Sequence, residues 1–225
     1  MYWGRYPGWS YWGVNTTVVV QQQPIIVNQQ QQAAPLTTST PQTTTILPAP
    51  APAQGEAIVI ERPDGSIVIA SPSQAWLYLG YGETALAAEL FAAMLQENPV
   101  ATEYLLGYTL SLACSPDEAE TKLASLALEE VLRLDAGVLL SVPLDPTLRE
   151  RLTELKLRLL LDSRGVEIEP GSVMLLAAVR TILGEEVAAL AAISVAEQIF
   201  GATPGSSALR SLLEELRAAN LISMR

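Results

Sequence analysis

The chain has 225 residues, with 13 Lys and Arg against 24 Asp and Glu, a formal charge of −11, no histidine and one cysteine. Without histidine there is no Ser-His-Asp or Cys-His catalytic arrangement and no His-ligated metal site, and one cysteine excludes an intrachain disulfide or a multi-Cys zinc site. An acidic chain with no Lys/Arg cluster is also a poor ligand for nucleic acid or an anionic membrane surface.

Residues 1–55 carry a single charged side chain, Arg5. Trp3, Trp9, Trp12, Tyr2, Tyr6 and Tyr11 stand among glycines, then come Gln-rich, Thr-rich and Pro-rich stretches. Such a composition cannot build a packed core, so 1–55 is expected to be a disordered low-complexity tail. Two readings stay open: a plain linker, or an aromatic/Gln segment that attaches to a surface or to like chains. Asn15-Thr16-Thr17 fits a glycosylation sequon that recurs by chance.

Residues 56–70 predict a β-hairpin. Ala57-Ile-Val-Ile-Glu and Ser66-Ile-Val-Ile-Ala flank Pro63-Asp64-Gly65, a turn signal. A hairpin alone is marginal, so it is expected to pack on the first helix.

Residues 71–225 read as helical. Ser71-Pro72-Ser73-Gln74 is a capping box that starts a helix to about Tyr81, broken at Gly82. A second runs from Thr84 to Glu97 and stops at Asn98-Pro99, and a third runs from about Val100 to Cys114. Ser115-Pro116-Asp117-Glu118 repeats the capping chemistry and opens a fourth, to about Leu134. Asp145-Pro146 opens a fifth, to about Leu161. A sixth follows Gly171-Ser172 and breaks at Gly184, and a seventh ends at Phe200. Residues 207–220 form a last amphipathic helix with a stripe of Leu209, Leu212, Leu213 and Leu216. The apolar run from Val173 to Ala202 is broken by Arg180, Glu185 and Glu186, so no membrane span is expected.

Two helix pairs share small and large apolar residues at fixed offsets: Ala75, Tyr78, Gly82, Ala87, Phe91 and Pro99 in one, Ala177, Gly184, Ala189, Ile193 and Ala196 in the other. Leu106-Gly107 with Ala124, Leu128, Val131 and Leu132 gives a partial third, with a longer turn. This pattern resembles the tetratricopeptide repeat, although the family's early Trp and Leu are missing. The resemblance covers most of 71–204, excepting the helix near 146–161, and leaves the last helix as a C-terminal cap. It implies a mostly α fold, an α-solenoid of antiparallel helix-pair repeats behind the hairpin and tail.

The resemblance also implies ligands on a concave face lined by the first helix of each pair. Carried over, it places Trp76, Leu79, Tyr104, Tyr108 and Met174 on a peptide-binding groove. The alternative is that they are core residues between helices. The family's carboxylate-clamp residues are not found.

Carboxylates are the only candidate catalytic groups. Glu129-Glu130, Glu185-Glu186 and Glu214-Glu215 are adjacent on helices, and neighbours there point about 100° apart. They read as solvated helix faces, and Cys114, in an apolar run, as a core residue. In the fifth helix Leu152, Leu155 and Leu159 form a stripe that packs on neighbouring repeats or forms a homodimer seam through 146–161.

The expected function is therefore a non-catalytic interaction scaffold without cofactor or metal, whose partner is another protein or extended peptide. The tail is similar to segments that precede such repeats in bacterial envelope proteins. It implies an extracytoplasmic place if a signal peptide lies upstream, and a cytoplasmic one otherwise. A surface-attachment protein acting through the tail is the alternative, and a carboxylate-dependent hydrolase the remote one.

Overall fold

The computed structural model describes residues 58–61, 67–162 and 169–223, and these are mostly helical. The expected tail and the turn at 62–66 lie outside the described residues. Strands β1 (Ile58–Glu61) and β2 (Ile67–Ala70) pair antiparallel, with Ile58 opposite Ala70 and Glu61 opposite Ile67. Among the described residues eight α-helices follow: α1 (Pro72–Gly80), α2 (Thr84–Glu97), α3 (Thr102–Cys114), α4 (Glu118–Asp135), α5 (Pro146–Asp162), α6 (Pro170–Ile182), α7 (Glu186–Phe200) and α8 (Pro204–Ser223). The strands lie beside α2, whereas the sequence reading placed them on α1.

Side-chain caps set several helix starts. Ser71 Oγ accepts the Gln74 N–H at 3.3 Å and caps α1. Asp145 Oδ1 accepts the Leu148 N–H at 2.8 Å and caps α5. For α4 the cap is Asp117, which accepts the Ala119 N–H at 2.8 Å, not the Ser115 expected from sequence. Ser115 instead holds the Asp117 N–H, at 3.2 Å. A short 3-10 helix, Ala136–Ser141, was not foreseen; Asp135 starts it by accepting the Gly137 N–H at 2.9 Å.

The α1–α2 and α6–α7 turns are built alike. Gly82 and Gly184 stand at φ of +83° and +79°, a region a side chain would strain. Gly82 donates to Leu79 O and Glu83 to Tyr78 O; Gly184 donates to Thr181 O and Glu185 to Arg180 O. Ala87 and Ala189 then donate to the carbonyls of Glu83 and Glu185. The two glycines lie 102 residues apart along the chain (184 − 82).

Two helices are buried almost all round. In α3 the buried residues are Leu106, Gly107 and Thr109 through Cys114. In α6 they include Val173, Leu175 through Val179, Thr181 and Ile182. Helices apolar on every side must sit inside a bundle. Their buried hydroxyls turn back to their own backbone: Thr109 to Leu105 O, Ser111 to Gly107 O and Thr181 to Ala177 O, at 2.7–2.9 Å.

The helix packing skips along the chain. In a solenoid each repeat touches only its neighbours. Here α5 packs on α1, α3 and α6, and α8 packs on α4 as well as on α7. The three helices under α5 are those that the repeat resemblance assigns to the concave face. Leu148, Leu152, Leu155 and Leu159 of α5 are all buried within the chain. The reading of 146–161 as a homodimer seam is thereby corrected, because its apolar stripe is already covered. At the closest approach, a Cβ on Gly80 would come within 2.7 Å of Thr147 Oγ1 and 3.1 Å of the Leu148 nitrogen.

Candidate aromatic surface

Phe91 is the centre of a second, smaller core formed with Ala75, Leu90, Ala93 and Met94. It is fully buried, and it lies so close to Gly107 that a Cβ there would come within 2.4 Å of the ring. The missing side chain lets α3 approach α2. Around this pair the chain gathers four half-buried aromatics: Trp76, Tyr78, Tyr104 and Tyr108. Trp76 meets Phe91 edge to face, with ring centroids 4.9 Å apart and planes at 67°. Tyr104 and Tyr108 stand one helical turn apart on α3. Gln74 Nε2 donates to the Tyr78 hydroxyl at 3.4 Å.

Burial pushes the Tyr104 and Tyr108 hydroxyls above the ordinary tyrosine range, with smaller effects from Glu103 and Glu120. Both remain neutral donors at physiological pH. Each is thus a half-buried ring packed against the core.

Of the five groove residues expected from sequence, the structure brings three together: Trp76, Tyr104 and Tyr108. Leu79 has no exposed surface and sits in the main core. Met174 is half-buried on α6 and packs on that same main core, not on the Phe91 cluster. Tyr78 also packs against the Phe91 cluster and was not selected as a site residue. Two residues from Trp76, it lies on the other flank of α1, so no spacing in the sequence joins the two.

The helix carboxylates are largely occupied. Glu129 bridges from α4 to the start of α8, accepting from Gly205 N at 2.8 Å and from Thr203 Oγ1 at 3.0 Å. Glu185 takes Lys156 of α5 at 2.5 Å, and Arg180 lies 3.9 Å from it. The reading of these two as solvated side chains is corrected: each joins separate helices. Glu130 pairs with Arg133. The hydrogen bond from Arg133 holds the Glu130 carboxyl below its usual range, against the smaller opposing effect of burial.

The carboxyl end of α3 is held by α5. Arg151 Nη2 donates to Cys114 O at 3.0 Å and Arg158 Nη1 to Ser115 O at 2.7 Å, while Arg158 Nη2 donates to Ala113 O. Cations there satisfy orphan carbonyls and oppose the negative end of the helix dipole. These side chains line a cleft of about 310 Å³ with Cys114, Pro116, Glu154 and Leu155. The Cys114 thiol is only 3% exposed, and burial pushes its pKa up to about 11 although both arginines act to lower it. It is a thiol, not a nucleophilic thiolate, at neutral pH.

Among the described residues no group of three or more His, Cys, Asp or Glu side chains is placed to hold a metal ion, and no helix is long and apolar enough to cross a membrane. Comparison with protein families, curated proteins and solved structures returned no match.

Proposed function

We propose that this chain is a non-catalytic protein–protein interaction scaffold of tetratricopeptide-like helix pairs, with a short hairpin at their start and with α5 and α8 as added covering helices. It takes an extended peptide on the surface of Trp76, Tyr104 and Tyr108. The observation that carries this is the clustering of these half-buried aromatics round Phe91 and Gly107. Rigid rings anchored on a core give large contact area at low entropic cost. The matching glycine turns at Gly82 and Gly184 support the helix-pair reading. The engagement of Glu129 and Glu185 between helices removes two candidates from the hydrolase alternative.

The envelope setting belongs to the same proposal and rests on the composition of the first 55 residues. Deleting 1–55 separates a groove from a tail function: retained binding places it on the helices.

Selection of the full chain against a phage-displayed library of unstructured peptides tests the reading. The expected result is an enriched peptide whose affinity falls at least about tenfold in a Tyr104→Ala, Tyr108→Ala variant with an unchanged helical spectrum. Enriched peptides that bind the folded variant as well as the parent would overturn it.

A further inference from the structure

The N-terminal segment joins the fold beside the aromatic surface. Ile58, the first residue of β1, lies opposite Ala70, and Ser71 alone separates Ala70 from the start of α1 at Pro72. Helices α1, α2 and α3 run alternately up and down: Trp76 meets Phe91 across the turn at Gly82, and Phe91 meets Gly107 across the turn at Pro99. The starts of α1 and α3 therefore share one end of the bundle, and both strands lie beside α2. Trp76 is four residues past Pro72, and Tyr104 and Tyr108 are two and six past Thr102. All three rings thus stand within about 9 Å of that end along the helix axes.

The segment that arrives there includes Leu47-Pro48-Ala49-Pro50-Ala51-Pro52-Ala53. Five peptide links separate Ala53 from Ile58, a reach of at most about 18 Å. Alternating prolines favour polyproline II and leave a backbone that mostly accepts hydrogen bonds. Proline has no N–H for a ladder, so this stretch is a poor third strand for β1 and β2. A surface of Trp and Tyr suits it: flat rings pack on the pyrrolidines, and indole N–H and phenol groups are donors. Trp76, Tyr104 and Tyr108 form such a set, with their rings held by the core. Charge agrees. Residues 6–55 carry none, so the acidic helices do not repel them, whereas Glu103 and Glu120 near the tyrosines disfavour an acidic peptide.

We propose that residues 47–53 dock within their own chain on Trp76, Tyr104 and Tyr108 as a polyproline II ligand, a resident occupant that a partner peptide must displace. The proposal rests on the reading of this surface as a peptide site, and it names the first ligand. Tethering makes a weak contact sufficient. At an effective concentration of about 1 mM, a segment with a dissociation constant of about 0.1 mM is docked about nine-tenths of the time. A peptide from outside then binds about tenfold more weakly than it would to an empty surface.

Paramagnetic broadening in the full chain tests the docking. Cys114 is buried, so Ala51→Cys supplies the thiol that takes a nitroxide. The expected result is broadening of the Trp76, Tyr104 and Tyr108 ring signals, with Tyr81, just past the other end of α1, spared. A chain that also carries Pro48→Gly, Pro50→Gly and Pro52→Gly keeps the tether and is expected to lose most of the broadening. Broadening that survives the three glycines, or that arises only between different chains in a mixture, would overturn the proposal. The second probe is a synthetic peptide of residues 46–54. It is expected to bind the three-glycine chain about tenfold more tightly than the parent, and to lose that binding when Tyr104→Ala and Tyr108→Ala are added. Equal, tyrosine-dependent affinity for parent and three-glycine chain would overturn docking within the chain and leave the peptide site standing. If neither this peptide nor any selected one depends on the tyrosines, the site and its occupant both fall.

Discussion

Glu129 of α4 caps α8 from outside: its Oε1 accepts the Gly205 backbone N–H at 2.8 Å and its Oε2 the Thr203 hydroxyl at 3.0 Å. Thr203 and Ser206 cap the same helix reciprocally, each hydroxyl accepting the other's N–H at 3.0 Å. The carboxylate therefore meets the positive end of the α8 dipole and ties two helices far apart in sequence. Glu129→Ala is expected to lower stability by about 1–2 kcal/mol in urea unfolding, the usual cost of a lost cap with charge. Gly205→Ala is expected to do the same by another route, because its Cβ would fall 2.5 Å from Glu129 Oε2.

The Gly107–Phe91 contact governs how close α3 comes to α2. Gly107→Ala puts a methyl group within 2.4 Å of the ring. The expected cost is about 1–3 kcal/mol, as for other overpacked cores. Phe91→Leu in the same chain should recover part of that loss, so the two changes should be non-additive. Additive losses in denaturant titrations would mean that the ring and the glycine are not coupled.

Removing the clamp on α3 should expose its end. Arg158→Ala leaves Ser115 O and Ala113 O without their guanidinium donor. A loss of about 1–3 kcal/mol is expected, and Arg158→Lys should restore only part of it. The local readout is Cys114. Its buried thiol, raised to about 11, should resist a disulfide reagent at pH 8 in the parent and react faster in the alanine variant.

Acid should weaken the α7–α8 junction. The Arg210 hydrogen bond holds the Glu197 carboxyl below its usual range, with a further contribution from Ser206 and against the effect of desolvation. A lowered folded pKa contributes stability that is fully present above the unfolded value, about 4.3, and is lost as pH falls through the lower folded one. Unfolding free energy should therefore decline below about pH 4.5. Glu197→Gln should flatten that decline, and parallel pH profiles for parent and variant would refute the assignment.

The helices were legible because their signals are local. Ser71, Asp145, Gly82 and Gly184 act on backbone groups within four residues, and they stand where the sequence reading put them. The aromatic surface was half legible. A spacing of four put Tyr104 and Tyr108 on one face, but the same pattern that selected Leu79 could not tell a core position from a groove. Ser115 was misread as a cap because a Ser-Pro-Asp run offers two oxygens in competition, and backbone geometry gave the helix start to Asp117.

By itself, the sequence determined the mostly helical class, the breaks between helices and the exclusion of histidine-dependent and disulfide chemistry. Those follow from residue type and from contacts within a turn or two of chain. Tertiary structure alone decided that α5 covers α1, α3 and α6, and that Glu129 belongs to α8. Periodicity shows that a helix has an apolar face; which element meets that face depends on long-range packing, and packing is a property of the assembled chain.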